Sequence, residues 1–283
     1  MILPTAGAAE AFTLIARGLG IRHPLVAHPQ FTEPEAALRA SGLPVQRLLL
    51  HPGTGFTITQ SDRELLRTSA ADLVMIGNPT NPTSVLHPRS ELELIRHPGR
   101  VLVVDEAFMD AVPGAEESMI HDRMDGLLVT RSLTKSWGLA GLRAGYLVGD
   151  PDLIGKLRDQ QQPWAVSTPA LAAIQACTGA RARTDLDALN RATSRDREFL
   201  IKSLDDLGLS VVQPARGPFV LVDTCTLSDA SLREPLAARG FAVRRSETFP
   251  GLGASWMRLA VCDHDTTTRL VAALRDLAGL DRS

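Results

Sequence analysis

The chain is poor in aromatic residues and in cysteine. Phe, Trp and Tyr make up 4% of its 283 residues, and tyrosine occurs once, as Tyr146. Cys177, Cys225 and Cys262 are odd in number and far apart. That spacing suits neither a disulfide framework nor a zinc site, and it favours a reducing compartment, the cytoplasm. The seven histidines form no HxxxH or paired cluster, so no metal site is expected. No apolar run reaches the ~18–20 residues of a membrane helix. The opening, MILPTAGAAEAF, has no basic leader and is interrupted by Pro4 and Glu10, unlike a signal peptide. Neither sign of charge is in excess: 30 Lys and Arg against 32 Asp and Glu leave a net of −2. Charge-driven binding to nucleic acid or to an anionic membrane is therefore excluded. There is no repeat, low-complexity tract or long charge block.

What remains is ordinary globular material, 44% apolar and 22% charged, of a length that suits two domains. Residues 6–19 have helical periodicity. PLVAH (24–28) and VQRLLL (45–50) read as strands around a helical EPEAALRAS. DLVMIG (72–77), VLVVDEA (101–107), GLLVTRS (126–132) and AGYLVG (144–149) are short Val/Leu/Ile runs between polar or turn-forming residues. Such runs suit strands buried on both faces of a largely parallel sheet. Helices are expected over 150–162 and from about Thr168. Beyond residue 180 a charged helix (183–207) leads to strands in SVVQP, PFVLVDT, FAVRR and WMRLAV, and a last helix follows CDHDTTT. The expectation is an α/β domain over 1–180 and a smaller α+β domain over 181–283.

Four segments carry chemistry together: GNPTNPTS (77–84), VVDEAF (103–108), TRSLTKSWGLAGLRAGY (130–146) and VRRSETFPGLGASWMRLAV (243–261). Lys135 lies just past a strand, near Ser132, Thr134 and Arg143. Ser, Thr and Arg can together hold a phosphate dianion. An amine desolvated beside such cationic groups loses its proton more easily and becomes a nucleophile; a lysine on a solvated surface is the alternative. Asp105 closes an apolar run and so ends its strand where ligands gather in open α/β sheets. It can hold the proton on a pyridine nitrogen or serve as a helix cap. Asn81, between two prolines, is either a rigidly presented amide or a plain turn. Phe31 is a candidate to stack on a cofactor ring or to pack in the core, and Trp164 to line a substrate pocket or simply to pack. DHD (263–265) reads as a helix cap and the Asp205–Asp206 pair as a solvated face. GLG (251–253) lacks the rest of a dinucleotide fingerprint.

On the Asn-Pro-Thr-Asn-Pro-Thr, Asp-Glu-Ala-Phe and Ser-Leu-Thr-Lys…Gly-Leu-Arg motifs, the chain from residue 1 to about 280 resembles the aminotransferases of the aspartate-aminotransferase fold type, which depend on pyridoxal 5′-phosphate (PLP). The resemblance implies PLP fold type I, with a mostly parallel central sheet flanked by helices. It matches Lys135 to the Schiff-base lysine, Asp105 to the partner of the pyridine nitrogen and Asn81 to the donor to the ring O3′. Ser132, Thr134 and Arg143 match the phosphate cup, with Ala8 and Ala9 as backbone donors at a helix start. Arg258 matches the arginine that grips the substrate carboxylate. Arg244 resembles the second anion-binding arginine, with Arg245 as the alternative.

Within this superfamily the similarity is greatest to the branch holding histidinol-phosphate aminotransferase and the threonine-phosphate decarboxylase of cobalamin synthesis. Asp-Glu-Ala-Phe at 105–108, Gln160-Gln161-Gln162-Pro163-Trp164 and Phe249-Pro250-Gly251-Leu252 favour the decarboxylase, with the aminotransferase as the alternative. The resemblance also implies a homodimer acting on a phosphorylated amino acid. It departs from the family in two ways. Phe108 stands where many relatives have tyrosine, and the longer leading segment of family members is expected to be absent here.

Overall fold

The Val/Leu/Ile runs form the middle of a seven-stranded sheet because each strand finds apolar partners on both of its faces. The computed structural model describes residues 1–279. In chain order the first part comprises β1 (Ile2–Thr5), α1 (Ala8–Gly18), β2 (Pro24–His28), α2 (Glu33–Ala40), β3 (Gln46–Leu49), α3 (Gln60–Thr68) and β4 (Leu73–Gly77). It continues with α4 (Arg89–Glu93), β5 (Val101–Asp105), β6 (Leu127–Ser132), β7 (Gly145–Gly149), α5 (Pro151–Gln160) and α6 (Thr168–Cys177). The sheet order is β1-β7-β6-β5-β4-β2-β3, and only β7 runs against the rest. Leu73, Met75, Val103 and Leu128 pack on Phe12, Ile15, Leu38 and Leu157 from α1, α2 and α5. Their strand neighbours Val74, Ile76, Leu102, Val104 and Val129 pack on the other face with Phe56, Leu66, Leu92 and Met119. The architecture is the α/β fold with a mostly parallel sheet that the sequence leads one to expect.

The second sheet begins after α7 (Ala180–Asp205), with β8 (Ser210–Val211), β9 (Phe219–Asp223), α8 (Arg233–Ala237), β10 (Arg244–Arg245), β11 (Trp256–Ala260) and α9 (His264–Leu277). It is antiparallel, in the order β10-β11-β9-β8. Val220, Val222, Met257 and Leu259 of this sheet pack against Leu200 and Leu204 of α7 and Leu270 and Leu274 of α9. Asp263 caps α9, its Oδ1 accepting from the Thr266 N–H at 2.7 Å. Among the described residues no helix is long and apolar enough to cross a membrane.

Four elements have no counterpart in the sequence reading: β1, α3 and the two five-residue helices α4 and α8. β1 carries Pro4 and pairs only with β7, Leu3 opposite Leu147, so its partner is remote in the chain. α3 buries only Leu66 and shows no apolar stripe, but Thr59 and Asp62 cap it reciprocally. The VLVVDEA strand is shorter than the apolar run. It ends at Asp105 because the Ala107 N–H turns back to Asp105 Oδ1 at 3.1 Å. That turn delivers Asp105 to the crevice at the carboxyl ends of the strands, in register with Gly77 of β4 and Thr130 of β6.

Candidate active site

Asp105 is held from one side and free on the other. Its Oδ1 accepts from Thr130 Oγ1 at 2.7 Å and from the Ala107 N–H at 3.1 Å, while Oδ2 accepts from nothing among the described residues. Burial pushes this carboxyl up; Thr130, Ala107 and the charge of Lys135 oppose the rise. The free oxygen is thus an acceptor waiting for a donor inside the cavity.

Lys135 follows β6 by three residues, and its Nζ stands 5.4 Å from the centre of the Phe108 ring. Desolvation lowers its pKa, Arg258 and Arg143 lower it further, and Asp105 opposes them. An amine so placed sheds its proton more readily than a surface lysine and is a better nucleophile. Beside it Ser132 and Thr134 share a hydrogen bond of 2.8 Å between their hydroxyls, both buried.

The opposite wall is the start of α1. Gly7 precedes it with φ 78° and ψ 172° and offers no side-chain cap, so the N–H groups of the first turn at Ala8 and Ala9 stay open. A Cβ on Gly7 would lie 2.6 Å from Arg143 Nη2, which is how closely the guanidinium covers this turn. Arg143 is itself left-handed, with φ 55°, and its Nη1 donates to the Ala140 carbonyl at 3.0 Å. Two hydroxyls, a guanidinium and a helix start converge here. They form a donor set for a dianion.

A second cavity opens on the other side of Lys135 and Phe108. Arg258 and Arg244 are directly opposite in the β10–β11 ladder, and both line it. Arg258 lies over the Phe219 ring at 4.9 Å, and Arg244 over Phe249 at 5.6 Å. Arg258 Nη1 donates to Asn81 Oδ1 at 2.5 Å, which fixes the amide and leaves its NH2 free to donate. Burial, with Arg244 beside it, lowers Arg258 to about 10, so it stays charged at neutral pH. Strand alternation sends Arg245 the other way, to Glu247 at 3.9 Å in a separate surface cleft. Arg244, not Arg245, is the second arginine at this site.

One cavity is lined by Ala8, Ala9, Phe31, Asn81, Asp105, Ala107, Phe108, Ser132, Thr134, Lys135 and Arg143, and it shares Phe31, Asn81, Phe108 and Lys135 with the arginine cavity. The structure does not bring Trp164 to either. It stands 96% exposed with φ 63°, on the loop between α5 and α6. Its expected place on the substrate pocket is corrected: the tight turn at Pro163–Ala165 carries the indole away from the crevice. Pro218 and Phe219 line the arginine cavity without having been singled out. The PF that opens PFVLVDT is their only local signal.

Comparison with known proteins gives the same picture at family level. The family model for aminotransferase class I and II matches residues 2–274. A histidinol-phosphate aminotransferase of Mycobacterium tuberculosis is 43% identical over 261 residues, covering 92% of this chain and 69% of that protein. A threonine-phosphate decarboxylase of Salmonella typhimurium is 32% identical over 287 residues, covering 98% and 76%. The crystal structure of the histidinol-phosphate aminotransferase from Clostridium acetobutylicum superimposes with a TM-score of 0.87 at 24% identity, covering 99% of this chain and 84% of that one.

Proposed function

The chain belongs to the aminotransferase class I and II family, and from that premise we propose that it decarboxylates O-phospho-L-threonine to aminopropanol phosphate. It is an enzyme of a PLP-dependent family. Its site chemistry fits that cofactor: an unpartnered carboxylate oxygen on Asp105, an amine of lowered pKa and a phosphate-type donor set around Gly7.

In this reading Asp105 Oδ2 would hold the protonated ring nitrogen, and Lys135 the aldehyde end. Asn81 would donate its free NH2 to the ring oxygen, and Phe31 would stack on the ring. Ser132, Thr134, Arg143 and the N–H groups of Ala8 and Ala9 would hold the phosphate. When bound, PLP supplies an electron sink for the bond that breaks at the amine-bearing carbon. The protein's share is to choose that bond. Arg244 and Arg258 would hold the substrate's phosphate and carboxylate, and so would orient the bonds of the reacting carbon. For decarboxylation, Lys135 would be placed to return a proton to the carbon that loses CO2. We further propose a homodimer, with a large domain over 1–180 and a small one over 181–283.

The observation that carries this reading is the facing pair Arg244 and Arg258. Two cations side by side at one cavity suit a short substrate bearing two anions. A second reading, a histidinol-phosphate aminotransferase, is favoured by the 43% identity to the mycobacterial protein of that name. There Lys135 would remove the hydrogen instead. The PLP-loaded protein is given O-phosphothreonine and, separately, histidinol phosphate with 2-oxoglutarate. Release of CO2 in the first supports decarboxylation. Glutamate formed in the second, with no CO2 in the first, overturns it in favour of transamination.

A further inference from the structure

Glu106 and Arg131 are buried, at 1% and 8% exposure, immediately beside the residues that carry the chemistry, yet neither lines the cavities. Glu106 follows Asp105; Arg131 precedes Ser132. The Glu106 carboxylate accepts from Ser118 Oγ at 2.7 Å and from the Met119 N–H at 2.6 Å, and lies 3.0 Å from Arg131 Nε. Arg131 continues to Asp110 Oδ1 at 2.9 Å through Nη1 and to Ser118 Oγ at 3.1 Å through Nη2.

These contacts begin where the backbone ladder stops. β5 and β6 are paired from Leu102–Leu127 to Asp105–Thr130 and no further. Past that point only one main-chain bond joins them, from Glu106 N–H to the Thr130 carbonyl at 3.0 Å. Asp105 and Lys135 must nevertheless keep a fixed relation, because they would hold opposite ends of one flat ring. A buried ion pair is a poor device for stability alone, since apolar residues of similar volume do as well or better. Here Arg131 Nε makes no hydrogen bond to Glu106, and the directional link runs through Ser118 Oγ, which donates to Glu106 and accepts from Arg131 Nη2, fixing the geometry.

We infer that Glu106 and Arg131 are positioning residues, a buried latch between the ends of β5 and β6 that sets the spacing of Asp105 and the Ser132–Lys135 segment and thereby the affinity for the cofactor. The inference rests on the cofactor reading above. Glu106 also ties the loop bearing Phe108 to its far end at Ser118 and Met119, so the latch steadies a wall of the cavity as well. Asp110 lies at the other end of the network and holds Arg131 without touching the Asp105 side.

The test titrates apoprotein with PLP, following absorbance, and records the unfolding temperature of each apoprotein. Glu106→Gln weakens PLP binding about 10- to 100-fold, by analogy with the loss when outer partners of metal ligands are removed. Asp110→Asn takes a partner from the same arginine and lowers the unfolding temperature, but leaves the affinity near that of the wild type. Equal affinity in Glu106→Gln and wild type overturns the latch, and so does an equal loss in Asp110→Asn. If Glu106→Gln does not fold, Arg131→Lys takes its place. It keeps the charge but cannot fork to two carboxylates, and unchanged affinity in it overturns the latch equally. Wild-type protein that binds no PLP is a different failure, that of the cofactor reading.

Discussion

Arg244 and Arg258 stand opposite one another in the β10–β11 ladder, each over its own phenyl ring, and both guanidiniums line the cavity that Lys135 enters. The pair is held by sheet register, not by a carboxylate, so its charge is available to a ligand. Arg258→Ala should therefore weaken binding of O-phosphothreonine, the substrate proposed above, by about 2–5 kcal/mol, the usual effect of removing one side of a buried charge pair. Arg245→Ala, one residue along and facing Glu247, should leave KM unchanged. Steady-state kinetics on both variants checks this.

Lys135 acts as a nucleophile only when uncharged. Desolvation, Arg258 and Arg143 lower its pKa, and Asp105 opposes them. The rate at which apoprotein captures PLP should thus rise with pH and level off above that lowered pKa. Arg258→Met removes a positive neighbour, so the rise moves to higher pH. Asp105→Asn removes a negative one, so it moves to lower pH. Stopped-flow capture rates across pH 6–10 (~0.5-unit steps) test the two opposite shifts.

Gly7 has φ 78° and ψ 172°, a region almost closed to other residues, and a Cβ there meets Arg143 Nη2 at 2.6 Å. Gly7→Ala should destabilise the fold by about 1–3 kcal/mol. It should also weaken inorganic phosphate binding, because the guanidinium must move. Denaturant unfolding and competition of phosphate against PLP measure the two effects separately.

Glu35 is buried among His28, Arg39 and Arg47, with 2.7 Å from His28 Nε2 to Oε2. Burial alone would raise this carboxyl, but hydrogen bonds from Arg47, Arg39 and His28 hold it at about 2 against an ordinary 4.5. Its stabilisation is complete above 4.5 and is lost as pH falls toward 2. His28 is shifted down from 6.5, mainly by desolvation, with Glu35 opposing. Its contribution is complete above 6.5 and fades as pH falls below it. Unfolding temperature should therefore drop between pH 7 and 5 and more steeply below 4.5. In Glu35→Gln the steep acid limb should flatten.

How far the sequence spoke for the structure depended on distance along the chain. The strand ends bearing Asp105 and Ser132 were legible because each apolar run stops at a polar residue. So was helix α1, from its periodicity over residues 6–19, whereas a phosphate role for its first turn came only from the family resemblance. Strand β1 was not, since its partner β7 lies more than a hundred residues away. The choice between Arg244 and Arg245 needed the register with β11, which adjacent residues cannot disclose. Trp164 misled because a large aromatic in a loop invites a pocket, whereas its backbone, at φ 63°, turns it outward. The free oxygen of Asp105 could not be foreseen either, because it depends on where Thr130 and Ala107 donate.

The central claim is that the Lys135 amine is where the cofactor attaches. Protein saturated with PLP is reduced with borohydride, digested and mapped by mass spectrometry. The expected result is a phosphopyridoxyl group on the peptide containing Lys135, absent in Lys135→Ala. An unmodified Lys135 peptide from saturated, reduced protein would contradict the account.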